Sequence, residues 1–91
     1  MGRPTLILSS ELIRAARALL RWEQRDLAVA SSVSLPTIKR LEAKPGAMAA
    51  HLSTVAALRK ALETAGVEFI DENGGGSGVR IKKPSKERTT K

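Results

Sequence analysis

The sequence predicts a mainly α domain of four to five helices, closed by a C-terminal β-hairpin. Three observations predict it. Apolar residues recur at helical spacing from Leu12 to Leu62. Short polar or glycine-containing breaks interrupt them where helix ends belong. Beyond Gly66 the pattern changes to two runs of strand formers, Val67-Glu68-Phe69-Ile70 and Val79-Arg80-Ile81-Lys82, joined by the glycine-rich stretch 71–78. The 91 residues then divide into an N-terminal arm (1–8), a helical domain (9–66), a hairpin (67–83) and a basic, disordered tail (84–91).

In order along the chain, residues 1–8 are an arm or a short strand, in which Thr5-Leu6-Ile7-Leu8 either docks on the core or on a partner or is a frayed terminus. Ser9 or Ser10 caps a first helix that runs to about Arg21, with Leu12, Ile13, Ala16, Leu19 and Leu20 as its apolar stripe. Trp22 covers the end of the core. A second helix spans about 24–30 and a third about 35–42. Leu27 and Ala28 face inward, Val33 fills the turn, and Ile38 and Leu41 face inward again. Ser34 caps the third helix, and Pro36 sits at its second position, where no i−4 bond is lost and the fixed φ suits a helix. The loop 43–52 contains the turn pair Pro45-Gly46 and is expected to be mobile. Ser53 caps a fourth helix over about 54–65, with Val55, Leu58, Ala61 and Leu62 inside and Gly66 as its stop. A two-stranded hairpin alone is marginal in water, so the strands need the helical core or a second copy of themselves.

The net charge is +7, which points to a polyanionic partner. Residues 1–50 carry eight cations against four anions, residues 51–78 two against four, and residues 79–91 six against one. The basic surface therefore belongs to the first half and the tail. No cysteine is present, which excludes disulfides, thiol chemistry and zinc fingers. His51 is the single histidine and has no companion ligands. Asp71-Glu72-Asn73 lacks the spacing of a calcium loop, and the Gly74–Gly78 run lacks the Lys-Ser/Thr of a phosphate loop. Neither a metal nor another cofactor is expected. The chain offers no nucleophile–base pair and no paired-carboxylate site, so an enzyme is not expected. No apolar run approaches a membrane span and no cleavage signal follows the N-terminus, so the expected location is the cytoplasm.

The outward face of the third helix carries Ser34, Leu35, Thr37, Lys39 and Arg40. Small polar residues at a capped start, followed by a basic pair one turn later, suit a helix that enters a DNA groove. Arg40 has the planar fork that matches guanine O6 and N7. Leu35 and Pro36 carry no donors and are limited to apolar contact, for example with a thymine methyl. Lys44 lies beside any DNA the helix reaches.

The pattern Gln24-x-x-Leu27-Ala28, then Val33-Ser34-x-x-Thr37-Ile38-x-Arg40-x-Glu42, resembles the helix-turn-helix of the XRE family of phage-repressor-like transcriptional regulators. The resemblance extends over most of residues 9–70, and the ending from Val67 to Lys83 is similar to a group of short bacterial regulators of that family. It implies a lambda-repressor-like fold, with Ser34, Leu35, Pro36, Lys39 and Arg40 facing bases and nearby phosphates; Thr37 points partly sideways, toward phosphate as much as toward a base. It also implies a phosphate bond from Gln24 and a partly buried ion pair between Arg17 and Glu42. Two departures stand out. Ser32 occupies the turn position where the family carries Gly, and Glu23 replaces the Ser or Thr that caps the second helix.

These readings point to a sequence-specific DNA-binding regulator. The simplest mechanism is a homodimeric repressor that occludes a near-palindromic operator. The hairpin residues Val67, Phe69, Ile70, Val79 and Ile81 form the expected dimer interface; the alternative packs the fourth helix against its copy, with the hairpin folded back on its own core. Two other functions use the same features. An antitoxin would add a small protein partner and regulate its own operon. An architectural protein would bind double-stranded DNA without sequence preference.

Overall fold

Polar groups near their starts define the first three helices. The Ser9 Oγ accepts the Leu12 N–H at 3.0 Å and opens α1 (Ser10–Leu20). At α2 (Gln24–Ser31) a bond runs backwards: the Asp26 carboxylate accepts the Glu23 N–H at 2.8 Å. The Ser34 Oγ accepts the Thr37 N–H at 3.3 Å and opens α3 (Leu35–Ala43), with Pro36 in its first turn. Helix α4 (Leu52–Thr64) differs from expectation. It begins two residues before Thr54, with His51 as N-cap and Ser53 inside the first turn. The His51 carbonyl accepts the N–H groups of Thr54 and Val55, each at 3.0 Å. These two bonds set the start at Leu52, although no side chain caps it.

The computed structural model describes residues 8–72 and 74–82. The four helices are followed by an antiparallel hairpin of β1 (Val67–Ile70) and β2 (Gly78–Ile81). Among the described residues there is no fifth helix. Most of the proposed arm and the whole of the proposed tail lie outside the described residues.

The core is shared by every helix and β1: Ile13 and Ala16 from α1, Leu27 from α2, Ile38 and Leu41 from α3, Val55, Leu58, Ala61 and Leu62 from α4, and Val67. Leu8, expected in the arm, is only 2% exposed and belongs to this core. The chain beside it is tied down. The Met48 N–H donates to the Leu8 carbonyl at 3.0 Å, and Ser9 and Ala47 form a β-bridge. The Ser10 N–H donates to the Gly46 carbonyl at 3.0 Å. The Gly46 N–H donates back to both Glu11 carboxylate oxygens, at 3.1 and 3.3 Å. The loop after α3 is therefore pinned to the start of α1, where mobility was expected. The Glu11 carboxyl is held below its usual pKa, first by its own backbone N–H and then by that of Gly46. Such a group loses its contribution as pH falls through the lowered value, so the clamp holds at neutral pH and loosens in acid.

The hairpin register pairs Val67 with Ile81, Glu68 with Arg80, Phe69 with Val79, and Ile70 with Gly78. Val67, Phe69, Val79 and Ile81 thus share one face. That face lies on the protein's own helices, β1 against α4 and β2 against α1. Val67 is 1% exposed, and Phe69 and Val79 pack against the core. The Arg59 guanidinium lies 5.1 Å from the centre of the Phe69 ring. The opposite face carries the exposed bidentate Arg80–Glu68 pair. This arrangement corrects the expectation that all five apolar hairpin residues face a second copy. Val67 is spent within the protomer, whereas Ile81 remains 45% exposed.

Among the described residues, two other than glycine adopt the left-handed conformation, Arg21 (φ 59°) and Ser32 (φ 64°). Each ends a helix, and the Ser32 N–H donates to the Ala28 carbonyl at 2.9 Å. A Cβ in this region costs about 1–2 kcal/mol. Ser32→Gly removes that strain and loses about 0.4–1 kcal/mol through a freer unfolded chain. The expected net gain is roughly 0.5–1 kcal/mol, seen as a melting temperature a few degrees higher. An unchanged or lowered melting temperature counts against strain at this turn.

Candidate nucleic-acid interface

Helices α2 and α3 are joined by the short turn of Ser32, Val33 and Ser34. Leu27, Ile38 and Leu41 are buried between them and the rest of the core, and Val33 packs at the turn. With Ile38 and Leu41 facing inward, helical spacing turns the other side of α3 to solvent. Ser34, Pro36, Lys39, Arg40 and Lys44 are exposed there, and Leu35 and Thr37 are half-buried.

The polar groups at the start of α3 are partly used. The Ser34 hydroxyl donates to Thr37 Oγ1 at 2.8 Å while accepting the Thr37 N–H. The Thr37 hydroxyl keeps its own proton for an outside acceptor. The basic groups are not used this way. Among the described residues, Lys39, Arg40 and Lys44 have no hydrogen bond or ion pair from their side chains. Arg40 stands between two clefts. One is lined by Thr37, Ala49, Ala50, His51 and Thr54, and the other by Leu41, Lys44, Pro45 and the segment 47–49. The loop pinned to α1 thereby forms a wall beside α3, a placement that the sequence did not disclose. His51 and Thr54 join the site only because α4 starts where it does.

Behind this face stands Glu42, whose side chain is 4% exposed. Arg17 on α1 donates to it twice, Nε to Oε2 at 2.9 Å and Nη2 to Oε1 at 2.7 Å. The third group of the same guanidinium, Nη1, donates to the Trp22 carbonyl at 3.0 Å. Gln24 Nε2 also donates to Glu42 Oε1, at 3.0 Å. Arg14 Nη1 reaches the Glu42 backbone carbonyl at 3.0 Å. One residue of α3 is thus gripped from the first helix and from the start of the second. Gln24, expected to face phosphate, points its amide at Glu42 and keeps one N–H and its carbonyl oxygen for other partners.

No helix among the described residues is long and apolar enough to cross a membrane. No family model matches the chain, and no curated protein matches it by sequence.

The buried pair yields a prediction. Arg17→Ala leaves the Glu42 carboxylate buried without its cation, at a cost on the order of 3–5 kcal/mol. Urea denaturation should therefore show Arg17→Ala and Glu42→Ala as severely destabilised. The double variant Arg17→Met/Glu42→Leu, which buries no charge, should recover most of the loss. A single variant as stable as the parent would show that the pair carries no structural load.

Proposed function

We propose that the chain is a sequence-specific DNA-binding transcriptional regulator with a lambda-repressor-like helix-turn-helix, acting as a homodimeric repressor on a near-palindromic operator. The observation that carries this reading is the state of α3. Its inner side is fixed by the core and by Glu42, whereas Lys39, Arg40 and Lys44 on its outer side have no partners among the described residues. Unpaired cations on a rigid helix suit groove recognition, because the side chains need not break internal bonds to reach bases and phosphates. Pro36 and Leu35 lie where the helix first meets a groove, and the chain's net charge of +7 favours the encounter.

Dimerisation supplies the specificity that one short helix lacks. Two copies about a two-fold axis would set their reading helices about one DNA turn apart, ~34 Å. The hairpin supports this reading through Ile81 and the open strand edges, with Leu19 on α1 also 44% exposed.

Selection of bound sequences from a random DNA pool tests the proposal. The expected product is a near-palindromic motif with half-sites one turn apart, and a pool that stays random rejects it. Arg40→Ala should weaken the selected site by about 1–3 kcal/mol and relax preference at one base position. Lys44→Ala should weaken all sequences alike and reduce the salt slope by about 0.9. In sedimentation, Ile81→Asp should dissociate the dimer while leaving the protomer folded. Val67→Ala should instead lower protomer stability at every protein concentration.

A further inference from the structure

We infer that Arg14 on α1 is a DNA-phosphate contact that flanks the C-terminal end of α3, an inference that rests on the DNA-binding reading above. Arg14 and Arg17 are three residues apart and lie on one side of α1. The Arg17 guanidinium is consumed by Glu42 and the Trp22 carbonyl. Arg14 is differently placed. It is exposed, and it spends one N–H on the Glu42 carbonyl, a bond that spans 28 residues of sequence. Its Nε and Nη2 groups have no partner among the described residues.

The carbonyl that Arg14 holds belongs to the last turn of α3, which ends at Ala43. That turn carries carbonyls without intrahelical partners and the negative end of the helix dipole. Left bare, it would repel a phosphate approaching Lys44, the residue that follows Ala43. A guanidinium bonded there outweighs the negative end of the dipole and leaves a net positive site. The bond also fixes the fork, so the remaining donors are presented without the entropy loss of ordering a free arginine. Arg14 and Lys44 then stand on α1 and at the end of α3 as two cations about one helix terminus. Glu11, one turn before Arg14, stays ionised: its own and the Gly46 backbone N–H groups, and then the charge of Arg14, hold its carboxyl below the usual pKa, but no hydrogen bond or ion pair ties the two side chains.

The test measures DNA affinity against salt for the full chain and three variants, on the selected operator and on random duplex. Arg14→Gln keeps a donor for the Glu42 carbonyl but removes the charge. It should lower the slope of log affinity on log salt by about 0.9 and weaken both DNAs equally, by about eightfold at 0.1 M salt. Arg14→Lys should keep the slope. Lys60→Gln removes the same charge from the cleft of Trp22, Ala30 and Ala57 and should leave the slope unchanged. In the unmodified protein, the Arg14 Nε–H resonance should shift on adding DNA and return as salt is raised, a readout that needs no variant to fold. An Arg14→Gln slope equal to that of the parent, or an Arg14 resonance blind to DNA, overturns the inference and leaves Arg14 as a support for α3 alone. A parent protein with no affinity for DNA at any salt rejects the functional reading itself.

Discussion

The rest of the structure depends on one buried carboxylate. Glu42 sits at the end of α3, nearly sealed from water, and must be met by a cation to be there at all. Arg17 meets it with two parallel bonds, and this fork fixes the distance and rotation between α1 and α3 more tightly than apolar contact does. Gln24 on the same oxygen fixes the start of α2. The pair contributes less to net stability than its bond count implies, because both ions were hydrated before folding. Its effect is orientation. Helices held mainly by Leu27, Ile38 and Leu41 could slide or roll at modest cost, and the carboxylate permits one arrangement.

That arrangement separates the two sides of α3 by chemistry. Inward, apolar side chains and one satisfied ion pair leave little to rearrange. Outward, the cations have no internal competitor. A surface arginine already committed to a carboxylate must lose that partner before it can contact another group, and Arg40 carries no such debt among the described residues. The hairpin obeys a similar division. Val67 and Phe69 serve the protomer, the Glu68–Arg80 pair faces water, and Ile81 is left over at the end of the apolar face.

Helices, turn and strands were legible in the sequence because their signals are local. The spacing of Leu27, Ile38 and Leu41 and the caps at Ser9 and Ser34 act within a few residues. So does the positive φ at Ser32, required wherever a helix turns this sharply into the next. What was hidden is long-range. The apolar run ending at Leu8 allowed docking on the core among other fates, and the bond from Met48 that ties it down comes from 40 residues away. The loop after α3 has the composition of a mobile segment, and the Glu11 carboxylate that pins it comes from another helix. The start of α4 escaped the reading of Ser53 as its cap because no side chain caps it; the His51 carbonyl opens the helix instead. Arg21 gives no local sign of its left-handed backbone, as arginine has no preference for it. At the candidate site, the residue types on α3 were visible in order, while the wall of 47–51 and the grip of Arg14 needed the fold.

The contacts between Leu8 and Met48 and between Ser10 and Gly46 give the chain a closed first lap. The backbone leaves this junction as α1, makes α2 and α3, and returns to it before α4 begins. Closure cost rises only slowly with the length of a loop, and here a single closure captures three helices together with the Glu42 bonds. The proposed reading helix thus lies wholly inside one ring of chain. The later part, α4 and the hairpin, seals the apolar side of that ring without threading through it. Opening at the hairpin end would expose Phe69 and Val79, yet no hairpin residue takes part in the bonds that close the ring, so the two ends of the chain meet the core by separate sets of contacts.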